Sequence, residues 1–179
     1  MSEKLEEHSS ADTELAASII QSILYINIAS VCPDGRPWNS PVYSAFDNDL
    51  NFFWASAHFN QHSENIRSNP NVFLTIYDST IPEGEGEGVY VEAVAAELDD
   101  FDEINHARTL TQARKNASHD PKFVEQLFMG DSIRKVYRAT PSKIWLNDIK
   151  TDDHGKYVHD IRRDVDLEKL HQHMKERKP

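Results

Sequence analysis

Ser56, His58, Gln61, His62 and Ser63 lie in one short stretch, Phe53-Trp54-Ala55-Ser56-Ala57-His58-Phe59-Asn60-Gln61-His62-Ser63-Glu64-Asn65-Ile66-Arg67. The apolar start reads as a strand, the polar middle as a turn, and the end as a short helix that Asn69-Pro70 stops, because a residue before proline is biased away from helical backbone. A helix start leaves backbone N–H groups unpaired and carries partial positive charge, so it can hold an anion such as a phosphate. Ser56, Gln61, His62 and Ser63 are the side chains available to help. His58, in the same loop, is a weaker candidate proton donor to a substrate.

The elements around this junction have to position it. Leu15, Ala16, Ile19, Ile20, Ile23 and Leu24 share one face of a helix predicted over Thr13–Leu24. Alternating residues from Tyr25 to Val31, the turn Pro33-Asp34-Gly35 and a return strand over Trp38–Phe46 predict a hairpin. A turn at Asp47-Asn48-Asp49 leads to a third strand, Leu50–Ser56, and strands are predicted over Val72–Tyr77 and Val89–Leu98. Helices are expected from Asp99 to about Ala117 and from Asp120-Pro121 to Gly130. A strand follows over Ile133–Leu146, broken at Thr140-Pro141-Ser142. A polar tail then carries a short strand over Tyr157–Ile161 and a helix from Asp166 to Glu176. Residues 1–148 read as one domain and 149–179 as a polar cap rather than a second domain.

Composition narrows the function classes. The 179-residue chain holds 19 Lys and Arg against 30 Asp and Glu, a net charge of −11, which opposes binding to nucleic acid and to anionic membranes. Cys32 is the single cysteine, which rules out an intramolecular disulfide and cysteine-rich zinc sites and reads as a half-buried strand residue. The glutamates of Pro82-Glu83-Gly84-Glu85-Gly86-Glu87-Gly88 lack the order of a calcium loop and read as a solvated connection. His171 and His173 are two apart on a helix, facing opposite ways, so no metal site is expected. Apolar runs too short to span a bilayer, and an acidic N-terminus without export-signal features, point to a cytoplasmic protein.

Five or six meandering antiparallel strands with helices imply a small barrel. Their order, with Asp34-Gly35-Arg36-Pro37, Phe53-Trp54-Ala55-Ser56, Asn65-Ile66-Arg67-Ser68-Asn69-Pro70-Asn71-Val72 and Val89-Tyr90-Val91-Glu92-Ala93, resembles the pyridoxamine 5′-phosphate oxidase-like family over about Ile20–Leu146. Tyr137-Arg138-Ala139-Thr140-Pro141-Ser142-Lys143-Ile144-Trp145-Leu146 is similar to the closing strand of an uncharacterised branch of that family. The resemblance implies a mainly β fold, a six-stranded antiparallel split barrel that binds FMN. It also implies a homodimer with flavin clefts shared between subunits and a small-molecule substrate.

By similarity, Ser40, Pro41 and Val42 lie beside the flavin ring, Trp54, Ala55 and Ser56 at its edge and ribityl chain, and Gln61, His62 and Ser63 near the phosphate. Trp54 and Trp145 are expected as apolar walls. Vitamin B6 oxidases carry an Arg-Lys pair where this chain has Gln61-His62, an arginine at Ser40, a glutamine at Gly88, and a terminal Arg-Leu-Ala-Pro that Lys175-Glu176-Arg177-Lys178-Pro179 does not match. The resemblance implies an FMN-dependent oxidoreductase of unknown substrate, and these departures imply that it is not a vitamin B6 oxidase. The alternative is a non-enzymatic carrier or sensor binding flavin, deazaflavin or haem. In an acidic protein, Arg36, Arg67 and Lys143 are the cations expected to make the cleft locally basic.

Overall fold

Residues alternate between buried and exposed along β1 (Tyr25–Val31), β5 (Asn71–Tyr77) and β6 (Gly88–Glu97), as a sheet with one face on a core requires. The computed structural model describes residues 2–176; Met1 and residues 177–179, and with them the last three positions of the terminal motif, lie outside the described residues. Register then aligns the apolar faces. Ile28 pairs with Leu74, Leu74 with Val91, Val91 with Ile144 and Ile144 with Val165, so one buried row crosses five strands. Burying each such side chain contributes about 1.5–3 kcal/mol, and a one-residue slip of any strand would turn its apolar set outward.

All strand pairs are antiparallel, in the order β2 (Pro37–Tyr43), β1, β5, β6, β7 (Arg134–Thr151), β4 (Phe52–Ala57), β3 (Ala45–Phe46), with β8 (Tyr157–Val165) added on β7. The two ends of this path, β2 and β3, are consecutive in the chain and separated only by buried Ser44. A single strand therefore changes partner at Ser44, from β1 to β4, and closes the sheet into a barrel. Counting that strand as two, and adding β8, gives eight strands where the sequence predicts six.

Two boundaries differ from expectation for local reasons. Leu50 belongs to the preceding turn rather than to β4: its φ is 59°, and Asp47 Oδ1 accepts the N–H groups of Asp49 (3.0 Å) and Asn51 (2.9 Å). The strand expected to break at Thr140-Pro141-Ser142 continues for 18 residues as β7. It absorbs Pro141 with a bulge. Glu92 pairs with Lys143 and Ala93 with Pro141, leaving Ser142 as the extra residue, whose hydroxyl reaches the Glu92 carbonyl (3.2 Å). On its other edge β7 pairs with β4 up to Ala139 and with β8 from Ile144, so the proline sits where the edge changes partner.

Helices close the barrel. α1 (Ser2–Ser22) and α5 (Leu167–Glu176) bury Ala16, Ala17, Ile20, Leu170 and Met174 in the main core. α3 (Phe101–Arg114) and α4 (Lys122–Phe128) form a second cluster on the outside of β4 and β7, with Phe53, Ile104, Val124, Phe128 and Val136. Asp100 caps α3, accepting the N–H groups of Asp102 (2.9 Å) and Glu103 (3.0 Å). The C-terminal stretch folds back on its own barrel: Arg163 bridges Asp12 (2.9 Å) and Asp148 (2.8 Å), and Lys175 pairs with Asp49 (2.6 Å). Its strand is longer than expected, nine residues to Val165. Among the described residues no helix is long and apolar enough to cross a membrane.

Candidate functional site

The polar junction lies at one end of the barrel, where β4 runs into α2 (Gln61–Ser68) and α2 packs against β1, β2 and β6. Period-two geometry puts Trp38, Ser40 and Val42 on one side of β2, and Trp54 and Ser56 on one side of β4. His62, Asn65 and Ile66 form the buried face of α2.

These strands and the helix bring Ser40, Ser56 and His62 into one hydrogen-bonded group. His62 Nε2 is 2.9 Å from Ser56 Oγ, and its Nδ1 is 3.2 Å from Ser40 Oγ. Each serine oxygen also accepts an N–H: Ser40 from the Trp38 indole (3.0 Å) and Ser56 from the Asn60 amide (2.7 Å). His62 is 6% exposed, and burial holds its imidazole below the ordinary histidine pKa, in the neutral form at pH 7. The Gln61 amide donates to Asn65 Oδ1 (2.9 Å), and Asn65 in turn donates to Ser30 Oγ (3.0 Å), which ties the helix start to β1. Ser63 N–H and Glu64 N–H both reach Asn60 O, and the N–H groups of Gln61 and His62 have no acceptor among the described residues.

The other expected site residues lie elsewhere. Trp54 is 1% exposed and stacks on Tyr137 at 5.6 Å inside the barrel, so within this chain it is core rather than a cleft wall. Ser63 is fully buried near the Tyr137 hydroxyl, without a hydrogen bond of normal geometry. Ala55 faces α3 and α4, Pro41 lies on the outer side of β2, and Val42 is buried inward. Trp145 stacks on Phe73 on the outer face of the sheet, and the Arg162 guanidinium covers Tyr90 (4.6 Å), Phe73 (5.0 Å) and Trp145 (6.0 Å). That face borders an open cleft of about 990 Å³, lined by Tyr77, Glu87, Tyr90, Asn147, Asp160 and Arg162 among others.

None of the three expected cations reaches the Ser40 group. Arg36 pairs with Asp34 (2.7 Å) at the hairpin tip, Arg67 bonds the His58 carbonyl (2.7 Å) and Glu97 (3.4 Å), and Lys143 stands exposed across the bulge. His58 packs edge-on against exposed Phe59 (5.3 Å) and does not enter the group. Cys32 is buried just past the end of β1, 3.6 Å from the Asn65 amide, rather than half-buried within it. Trp38, Asn60 and Asn65 are the participants that sequence reasoning missed. A signal existed for two of them: Trp38 is two residues before Ser40 on the same strand side, and Asn60 closes the turn that Ser56 opens.

With this geometry in view, comparison with known proteins decides the family. The model of the pyridoxamine 5′-phosphate oxidase family matches residues 12–148. The chain belongs to that family. No curated protein matches it. Solved structures share the family's split-barrel fold. A candidate 5-nitroimidazole antibiotic resistance protein from Bacteroides thetaiotaomicron is 17% identical, with a TM-score of 0.62 over 75% of this chain and 82% of the other. A haem-binding protein from Mycobacterium smegmatis is 17% identical, with a TM-score of 0.63 over 89% and 60%. An F420 reductase is 19% identical, with a TM-score of 0.53 over 71% and 93%. Proteins of this fold thus include ones named for haem and for F420.

Proposed function

We propose that this protein is an FMN-binding flavoprotein, a cytoplasmic homodimer in which FMN serves the oxidation or reduction of a small molecule other than pyridoxamine phosphate. The observation that carries this reading is the donor set at the barrel end. The Ser40 hydroxyl, bonded to the exposed Trp38 indole and to the His62 ring in the first turn of α2, suits a ligand with a planar ring and an oxygen-rich chain. When bound, the flavin supplies the hydride or electron transfer. The chain's own part is to bind and orient it: the helix start and Ser40 for the chain and phosphate oxygens, and the exposed Trp38 for the ring.

A homodimer would account for the distant position of Trp145. The outer face of β1, β5, β6 and β7 leaves Val31, Tyr77, Val94 and Ile149 between 41% and 53% exposed, an apolar extent that a second copy would cover. The same contact would bring the Trp145 face of one protomer to the cleft of the other.

Absorbance of freshly purified protein, mass spectrometry of released ligand, and an FMN titration test this reading. Flavin bands or saturable FMN binding support it; a colourless protein that does not bind FMN refutes it. The absence of any cationic side chain in the Ser40 group favours a second reading, a non-enzymatic carrier or sensor for flavin, deazaflavin or haem. Bound flavin that neither nicotinamide cofactor reduces would select that reading, and a Soret band would select haem.

A further inference from the structure

The hydrogens of the Ser40–His62–Ser56 group can be counted. Two hydroxyl hydrogens and, on a neutral imidazole, one ring hydrogen are available for two serine–histidine bonds, so one hydroxyl hydrogen is in surplus. Ser56 is 9% exposed and, among the described residues, its oxygen bonds only Asn60 and His62, so its hydrogen goes to His62 Nε2. The ring hydrogen is then on Nδ1 and is donated to Ser40 Oγ, whose second acceptor position takes the Trp38 indole N–H. Both lone pairs of Ser40 are occupied. Its own hydrogen has no partner among the described residues and, because Ser40 is half-exposed, is left for a ligand.

We propose that Ser40, oriented by His62 and Trp38, is the donor of a charge-neutral oxygen-binding subsite that does not select a phosphorylated ligand over its uncharged counterpart. The inference rests on the flavin reading for the identity of the ligand, but not for the direction of the Ser40 hydroxyl. Its physical basis is the absence of any cationic side chain from the group. A phosphate dianion gains most from charge-assisted bonds, and this group offers only neutral donors, which serve a ribityl hydroxyl as well as a phosphate oxygen. Two of the cations expected for the cleft are engaged elsewhere, Arg67 with Glu97 and Arg36 with Asp34. His62 is a positioning residue here. It turns the hydroxyl and need not touch the ligand.

The test uses the full chain. Nitrogen-15 NMR of the His62 ring at pH 8 should show a neutral imidazole protonated on Nδ1; protonation on Nε2, or an imidazolium at neutral pH, overturns the proposal. FMN and riboflavin are titrated in parallel by flavin fluorescence. Dissociation constants within about fivefold are expected, and Ser40→Ala should weaken both by about tenfold, the scale of one lost hydrogen bond, while Ser40→Thr restores them. A preference of about a hundredfold for FMN, or a Ser40→Ala loss confined to FMN, is the signature of a phosphate clamp and overturns the proposal. If neither flavin binds, the flavin reading fails on its own; the His62 tautomer still decides whether Ser40 is held as an outward donor.

Discussion

Tyr137 gives the most direct test of how the barrel holds β4, the strand that delivers Ser56 and the start of α2. Its ring is fully buried against Trp54, and its hydroxyl donates to Glu97 (3.0 Å). Burial first, and then the Glu97 carboxylate, push the phenol up from 10.0 to about 12. Above pH 10 the unfolded chain releases this proton while the folded chain keeps it, so stability falls as pH rises from 10 to 12. The gap is worth about 2.7 kcal/mol when complete. Tyr137→Phe removes the titration and one hydrogen bond, so at pH 8 it should be less stable by about 1 kcal/mol. The two stability curves should then cross at about pH 10.7, where the wild-type loss has reached that same amount. Urea unfolding followed by tryptophan fluorescence between pH 8 and 12 measures this, and every other alkaline group is common to both proteins and cancels. Curves that stay parallel up to pH 12 would refute the account of Tyr137 as a buried, proton-retaining group.

Three further perturbations test other parts of the structure. Burial depresses the His62 pKa, so below pH 6.5 the unfolded chain binds a proton that the folded chain refuses; stability should fall with pH from 6.5 down to the depressed value and then level off, and His62→Gln should lack this limb in urea melts between pH 4.5 and 8. The Arg114 guanidinium holds the end of α1 through the carbonyls of Ile20 (3.4 Å), Gln21 (2.8 Å) and Ile23 (2.9 Å) and the strand switch through that of Ser44 (3.3 Å). Arg114→Ala should cost roughly 1.5–3 kcal/mol in thermal or urea unfolding, the range for bonds from a charged donor. For the proposed homodimer, Val94→Asp and Ile149→Asp alter only exposed side chains, so each should leave far-ultraviolet circular dichroism unchanged and shift sedimentation from dimer to monomer; a monomeric wild type removes the basis for the shared cleft.

Much of the architecture follows from local signals. Alternation in Tyr25–Val31, Asn71–Tyr77 and Gly88–Glu97 sets strands because burial on one sheet face needs a period of two. Asn69-Pro70 ends α2 because the residue before proline leaves helical backbone, and Asp100 starts α3 because its carboxylate caps free N–H groups. The order of these elements, with the motifs around Asp34-Gly35 and Asn65–Val72, already determined the family and the barrel. The composition determined the acidic surface.

Closure decided the site. Ser40 and His62 are 22 positions apart, and they meet only because one strand changes partner at Ser44 and carries β2 against the α2 end of β4. Whether Trp54 lines a cleft or fills the core depends on which side of β4 faces the interior, and register with β7 sets that side by pairing Trp54 with Tyr137. The run through Pro141 stayed one strand because β7 bulges at Ser142 against Glu92 and Ala93 of β6, a pairing that only the fold brings together. Residue types near Gln61-His62 are enough to say that an arginine–lysine pair is missing. The neutrality of the group, with Arg36 and Arg67 held elsewhere by their own partners, follows from long-range packing, since a side chain's charge acts where the fold places it.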